Sequence, residues 1–257
     1  MKWGNRAFFS DATWNTVSRV FSRLTRRGPK GDLRAFIESI VWILRSGAPW
    51  RDLAERFGRW ETAYRRFRRW VLSGKWEVLR RALSFPKTRN RELLLIDSTI
   101  VKAHAHAAGA KNVGPEDPAL GRSRGGFTTK LHALVTERGR LVRCVLTGGE
   151  VHDVTQAERL LGSKEGRGVV GDRAYDSDAL VQRMTELGMC VVIPSRSRRR
   201  SPRELDVRAY RVRNVIERWF GRLKVFRRIA TRYDKTAASY LAFVATGAVL
   251  VTLSGWR

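Results

Sequence analysis

Apolar residues recur at helical spacing through the first ninety residues and at strand spacing after that. Ser10-Asp11 precedes Trp14, Val17, Val20, Phe21 and Leu24, a polar start followed by an apolar face. Gly28-Pro29 interrupts the pattern, which resumes over 32–46 with Phe36, Ile37, Ile40, Val41 and Leu44 and stops at Gly47-Ala48-Pro49. The stretch that follows predicts a helix-turn-helix: a short helix over Asp52–Phe57, a turn at Gly58, and a second helix over Trp60–Leu72. In that second helix Trp60, Tyr64, Phe67 and Val71 are expected to face a core. Thr62, Arg65, Arg66 and Arg69 are expected to face outward, suited to phosphates and base edges of a major groove. A solvated helix face is the alternative.

Past Arg91 the texture changes. Leu93–Ile96 is fully apolar, as a buried strand is; Phe127–Val135 and Leu141–Thr147 predict two more strands, with a polar, Gly-rich segment, His104–Gly126, before them. Gly168–Val170 reads as a strand, Asp178–Leu187 as a helix and Cys190–Ile193 as a last strand. Ala237–Leu253 is the longest apolar run; its Ser, Thr and Gly favour a buried C-terminal helix over a membrane span. The expected architecture is therefore α/β. An all-α helix-turn-helix domain (1–90), expected to contact DNA, is followed by a ribonuclease H-like domain (91–257), its mixed sheet flanked by helices.

Tyr210–Lys224 carries two different stripes when wound at about 100° per residue. Val212, Val215, Ile216, Trp219, Leu223 and then Phe226 form the apolar one; Tyr210, Arg213, Asn214, Glu217, Gly221 and Lys224 lie opposite. One carboxylate thus sits among cations, an amide and a phenol. Two further acids directly follow apolar strands, Asp97 after Leu93–Ile96 and Asp172 after Gly168–Gly171. An acid at a buried strand end is costly unless paired, hydrogen-bonded or bound to metal, and strand ends of this kind converge at one edge of a sheet. With Glu217 packed across that edge, three carboxylates would repel one another and a divalent cation would relieve the repulsion. Turn capping by the aspartates, and pairing of Glu217 with Arg213 or Arg218, are the alternatives. His152-Asp153, after a strand, is a weaker candidate to approach the acids. His104, His106, His132 and His152 lack metal-ligand spacing.

Charge narrows the partner. The 257 residues hold 51 Lys and Arg against 24 Asp and Glu, a formal net charge of +27, and residues 195–232 alone hold 14 basic and 3 acidic side chains. That balance points to a polyanion, nucleic acid first; an Arg-rich codon usage is the alternative for part of the excess, but not for its clustering. Hydrophobic residues at 43% exclude wholesale disorder. Cys144 and Cys190 show no Cys-x-x-Cys spacing, which excludes a zinc ribbon and disfavours a disulfide framework. No signal-peptide core opens the chain, so the cytoplasm, at the nucleoid, is the expected location and no membrane the expected partner. There is no Gly-x-x-x-x-Gly-Lys loop for ATP.

Tyr210, Arg213, Glu217 and Lys224 reproduce Tyr-x(2)-Arg-x(3)-Glu-x(6)-Lys, a signature of bacterial insertion-sequence transposases of the IS-four superfamily. The chain more closely resembles the IS-five family. The likeness runs through Leu95–Thr99, Ala103–Ala110, Gly121–Lys130, Asp172–Ser177 and Phe226–Lys235, and also through Ser10–Trp14 and Gly47–Leu53. It spans nearly the whole chain; an unusually Arg-rich Ser195–Ser201 is its main departure.

The resemblance implies a DDE transposase whose catalytic and metal-binding acids are Asp97, Asp172 and Glu217, with Tyr210, Arg213 and Lys224 holding DNA phosphates. It implies Mg²⁺ or Mn²⁺, two ions, as cofactor. It also implies double-stranded DNA, element ends and target, as partner, and a homo-oligomer formed on DNA. Terminal inverted repeats would be bound, cleaved and transferred to a target. An inactive copy acting as a repressor, or a structure-specific nuclease, are the rival functions; an RNA-binding role lacks an aromatic stacking motif.

Overall fold

The computed structural model describes residues 8–24, 32–84, 92–108, 119–123, 125–162 and 166–253. The Gly28-Pro29 break, the boundary at 90/91 and Gly109-Ala110 of the resemblance lie outside them. Four helices come first: α1 (Asp11–Leu24), α2 (Leu33–Ser46), α3 (Trp60–Leu72) and α4 (Lys75–Ser84). α2 shows why the sequence breaks where it does. The Asp32 carboxylate accepts from the N–H groups of Arg34 and Ala35, and Gly47 ends the helix at φ 70°, returning its N–H to Ile43 O.

Between α2 and α3 the structure corrects the sequence reading. Asp52–Phe57 is not a helix: two 3-10 turns, Trp50–Asp52 and Glu55–Phe57, flank an extended Leu53-Ala54, so no helix-turn-helix forms there. Six residues cannot offset helix nucleation alone, and buried Leu53 anchors the chain in the extended conformation instead. α3 is also rotated from expectation. Ala63, Phe67 and Trp70 are its buried residues, while Tyr64 is exposed against the edge of Trp50. Trp70 decides this, because its indole meets Phe21, Phe36 and Trp76 at 5.6, 5.2 and 5.2 Å.

The sheet follows: β1 (Leu93–Ala103), a one-turn α5 (Ala105–Ala108), β2 (Gly121–Ser123), β3 (Gly126–Thr136), β4 (Leu141–Gly148), α6 (Ala157–Leu161), β5 (Gly168–Val170), α7 (Asp178–Glu186) and β6 (Cys190–Val192). The chain ends through α8 (Val207–Tyr210), α9 (Asn214–Lys224), α10 (Arg227–Ala230), β7 (Thr231–Arg232) and α11 (Ala237–Leu253). β1 is antiparallel to β3, β3 to β4, and β5 and β6 run parallel to β1, giving the order β4-β3-β1-β5-β6 of a ribonuclease H-like sheet. β2 shares the outer edge of β3, and β7 pairs with the end of β1.

Each face of the sheet carries its own core. α6 and α7 cover Leu94, Ile96 and Leu134. The other face, with Leu93, Leu95, Leu131 and Ala133, packs against α9 and α11. That second core continues without a break into the aromatic cluster of α1–α4, so the N-terminal helices and the sheet share one interior. α11 joins them: Phe243 stacks on Phe67 at 4.7 Å, and a Cβ on Gly247 would come within 2.7 Å of Ile229 Cδ1. Among the described residues no helix is long and apolar enough to cross a membrane. Cys144 and Cys190 are both free thiols.

Candidate active site

β1 is longer than its apolar run. It continues to Ala103, so Asp97 stands inside the strand rather than at its end. The parallel neighbour β5 stops earlier: the last β1–β5 pair is Leu95 with Val170. Beyond it, Asp97 borders β1's open side and Asp172 leaves β5 at the same level. Topology, not chain proximity, brings these two aspartates together.

Asp172 caps the 3-10 turn Arg173–Tyr175, its Oδ1 accepting from Ala174 N at 2.9 Å. Asp97 Oδ1 accepts from Ser98 N at 2.8 Å, and Oδ2 faces Arg213 Nη2 at 3.4 Å. Burial pushes the Asp97 carboxyl up to about 6; Ser98 N–H and Arg213 oppose this, while the charges of Asp172 and Asp153 add to it. Arg213 therefore offsets only part of the cost of burying this carboxylate beside two others.

Glu217 stands apart. Its carboxylate is half exposed on α9 and held by Arg213 Nη1 at 2.5 Å. One guanidinium thus spans two of the three predicted acids, and the pairing weighed as an alternative for Glu217 is present. Arg213 itself is half-buried, and its Nε has no partner. Among the described residues no three His, Cys, Asp or Glu side chains come together tightly enough to hold a metal ion. Asp97 and Asp172 fit a divalent cation by charge and convergence; Glu217 joins them only if it leaves Arg213.

The remaining predicted residues divide. The Tyr210–Lys224 segment is not one helix: a 3-10 turn at Arg211–Arg213 separates α8 from α9. Its apolar stripe is nonetheless as expected, with Ile216, Trp219, Leu223 and Phe226 buried and Glu217 outside. Tyr210 packs on the edge of the core. Lys224 Nζ donates to Ile100 O at 3.2 Å, and its burial lowers its affinity for a proton. On α3, Thr62, Arg65 and Arg69 are exposed, but Arg66 lies over Phe36 at 4.4 Å, its charge partly desolvated. This corrects the expected outward face by one arginine; the turn of α3 that buries Trp70 draws Arg66 inward.

Asp153, the weaker sequence candidate, does come near the acids, and three further neighbours, Lys130, His132 and Tyr175, were not singled out for it. Lys130 Nζ holds Val151 O at 2.6 Å and Asp153 Oδ1 at 3.0 Å, which places Asp153 within electrostatic reach of Asp97. His132 lies beneath, its Nε2 against Thr147 Oγ1 at 2.8 Å, and burial pushes its pKa down to about 4, so it is neutral. Tyr175 is fully buried with an unpartnered hydroxyl, its ionisation opposed by burial and by Asp153, Asp97 and Asp172. For Lys130, its place between Thr129 and Leu131 in an apolar strand was the available sign.

Comparison with known proteins covers both parts of the chain. A family model described as "Transposase DDE domain" matches residues 88–252, and one described as "Putative transposase of IS4/5 family" matches residues 9–80. A protein of Brucella ovis named "Putative transposase for insertion sequence element IS6501" is 37% identical over 132 residues, 49% of this chain and 99% of that one. "Uncharacterized protein y4sN" of Sinorhizobium fredii is 43% identical over 86 residues, 34% of this chain and 67% of its own. Among solved structures, the Mos1 transposase paired-end complex with left transposon end shows 15% identity and a TM-score of 0.22, over 69% of this chain and 66% of that chain. The Mos1 strand transfer complex shows 13% and 0.27, over 94% and 84%. At these scores the backbones do not superpose closely.

Proposed function

Because the chain belongs to the transposase DDE-domain family, we propose that Asp97, Asp172 and Glu217 are its catalytic carboxylates and that it cleaves and joins double-stranded DNA at the ends of its element. The protein is a DDE transposase of an insertion sequence, an enzyme class that generally depends on a divalent metal. The observation that carries the site assignment is the convergence of Asp97 and Asp172 at one sheet edge, with Arg213 bridging Asp97 to Glu217.

Asp97 and Asp172 would hold Mg²⁺ or Mn²⁺, two ions, with Glu217 turned in from Arg213. When bound, the ions supply activation of the attacking oxygen and stabilisation of the leaving one. The chain's own residues do the rest. The Ser98 and Ala174 N–H groups each hold one oxygen of Asp97 and Asp172 and so restrict how the carboxylates turn. Arg213, freed from Glu217, would take a DNA phosphate, and Lys224, at the end of α9 beside the Ile100 carbonyl, and Tyr210 would hold further phosphates. Water attacks first to free a 3′-hydroxyl; that hydroxyl then attacks target DNA, both steps being in-line phosphoryl transfers.

By function the chain divides into residues 1–90, which recognise terminal inverted repeats, and 91–257, which perform catalysis, over a shared core. Two ends are brought together by a homo-oligomer on DNA, in the cytoplasm at the nucleoid. Incubating the full chain with a duplex carrying the element's terminal repeat, Mg²⁺ and a target plasmid is the direct test. Nicking at the repeat boundary followed by joining is expected. Cutting without joining would favour a structure-specific nuclease, and binding without cutting an inactive, repressor-like copy.

The exposed part of α3 makes a separate expectation. Arg65→Ala and Arg69→Ala should weaken repeat binding by about 1–3 kcal/mol wherever the side chain reads a guanine, with melting unchanged. Arg66→Ala should instead lower the melting temperature, because its guanidinium covers Phe36 and Trp70. Equal binding losses on every duplex sequence for Arg65 and Arg69 would mean that α3 touches phosphates only.

A further inference from the structure

The Arg-rich segment after β6 is organised around a single buried carboxylate. Asp176 has no exposed side-chain surface, yet it receives three donors from that segment. These are Arg196 N–H at 2.8 Å, Arg199 Nη1 at 2.9 Å and Arg203 Nη1 at 2.5 Å. Both arginines also reach Asp178. Burial alone would raise the Asp176 pKa; the Arg196 N–H, Arg203 and Arg199 outweigh it and hold the carboxyl below its usual range. The loop closes on itself, Arg203 N donating to Ser195 Oγ at 2.9 Å. It is also fastened beside the site, because Arg196 donates to the carbonyls of Arg173 and Ala174, the two residues after Asp172.

This arrangement sorts the arginines. Arg199 and Arg203 are drawn inward as struts. Arg198 and Arg200, alternating with Arg199, are exposed, and among the described residues neither has an ion-pair or hydrogen-bond partner. Arg173, on the turn that starts at Asp172, is exposed as well. Because β6 runs parallel to β5, with Val170 opposite Val192, the loop leaves the sheet at the edge where Asp97 and Asp172 converge. Guanidiniums without protein acceptors, held on a rigid loop at that edge, match the spaced anionic oxygens of a nucleic-acid backbone.

We propose that Ser195–Arg203 is a DNA-gripping platform, in which Arg198 and Arg200 bind the phosphodiester backbone of duplex DNA beside the acids and Asp176 is the positioning residue that holds the loop in shape. The proposal rests on the DNA-acting reading above and adds a specific surface to it. Neither arginine belongs to the tyrosine–arginine–glutamate–lysine signature or to α3.

Binding of a repeat-containing duplex, measured by fluorescence anisotropy across a salt series, tests it. Arg198→Ala/Arg200→Ala should lower the slope of log affinity against log salt by about 1.8, two phosphate contacts' worth, with melting unchanged. The control Arg167→Ala/Arg183→Ala removes the same charge from two exposed arginines away from that edge, where Arg167 pairs with Glu137 and Arg183 with Glu158. It should leave the slope within experimental error. Asp176→Asn, which keeps the side chain's size, should reproduce the slope loss of the double variant although Arg198 and Arg200 are intact. Equal slope losses for the two double variants would mean diffuse charge and overturn the platform, as would an unchanged slope for Arg198→Ala/Arg200→Ala. Normal binding by a folded Asp176→Asn protein would overturn the role of the anchor. Failure of the unmodified chain to bind any duplex would instead overturn the DNA-acting reading and the platform with it.

Discussion

Asp97→Asn and Asp172→Asn are each expected to reduce strand cleavage by more than about a thousandfold, roughly 4 kcal/mol of barrier, while leaving duplex binding intact. Both substitutions keep the volume of the side chain and the carbonyl-type oxygen that accepts from Ser98 N or Ala174 N. What they remove is negative charge. In the folded chain that charge is a burden: burial, Asp172 and Asp153 all push the Asp97 carboxyl toward its protonated form. Asp97→Asn should therefore melt at the same temperature as the parent or higher, the pattern of a site that gives up stability for chemistry. Glu217→Gln should also lose cleavage, without any gain in melting, since Glu217 is half exposed and already paired with Arg213. Cleavage within tenfold of the parent would remove the substituted residue from the catalytic set. A parallel loss of melting temperature and cleavage would assign it a structural role instead.

The second large effect lies in the Phe226–Lys235 stretch of the family resemblance. Arg228 and Asp234 are both nearly inaccessible and meet through two bonds, Nε to Oδ2 at 3.2 Å and Nη2 to Oδ1 at 3.0 Å. Arg228 Nη1 also donates to Ala48 O at 3.0 Å, and its guanidinium lies over Phe243 at 4.9 Å. One side chain therefore ties the loop after α2 to α10 and α11. Arg228→Ala is expected to cost about 3–5 kcal/mol, because it leaves Asp234 charged, buried and unpaired. At roughly 2–4 °C per kcal/mol for a chain of this size, the melting temperature should fall by about 10 °C. Arg228→Lys should recover little, since an ammonium cannot form the two-pronged contact and the carbonyl bond together. Arg228→Met/Asp234→Asn should lose less than the sum of the single changes, as coupled partners do. A melting temperature within 2 °C of the parent for Arg228→Ala would show that the pair contributes nothing net.

The sequence by itself determined the elements whose signals are local. α2 lies between its Asp32 cap and Gly47, α11 covers the apolar run Ala237–Leu253, and β5 is Gly168–Val170 as its composition suggested. The apolar stripe of α9 was legible for the same reason: a period of about 3.6 residues needs no partner to be read. Asp97 and Asp172 stood out as candidates because a charge beside an apolar run is costly, so its position is informative.

Tertiary structure decided what local signals leave degenerate. α3 has two possible inward faces, and packing of Trp70 against Phe21, Phe36 and Trp76 selected one, pulling Arg66 out of the expected DNA face. Asp52–Phe57 carries helix-compatible residues, but burial of Leu53 keeps Leu53-Ala54 extended between two 3-10 turns. β1 runs six residues past Asp97 because β3 supplies a partner as far as Lys102, while β5 ends early and opens the side where Asp172 arrives. Arg213 could be assigned to a phosphate from its stripe alone; only the fold brings Asp97, 116 residues away, to its other nitrogen. Periodicity and capping act over a few residues and can be read along the chain, whereas the pairing of buried charges depends on which distant groups share a low-dielectric site, and the sheet order settles that.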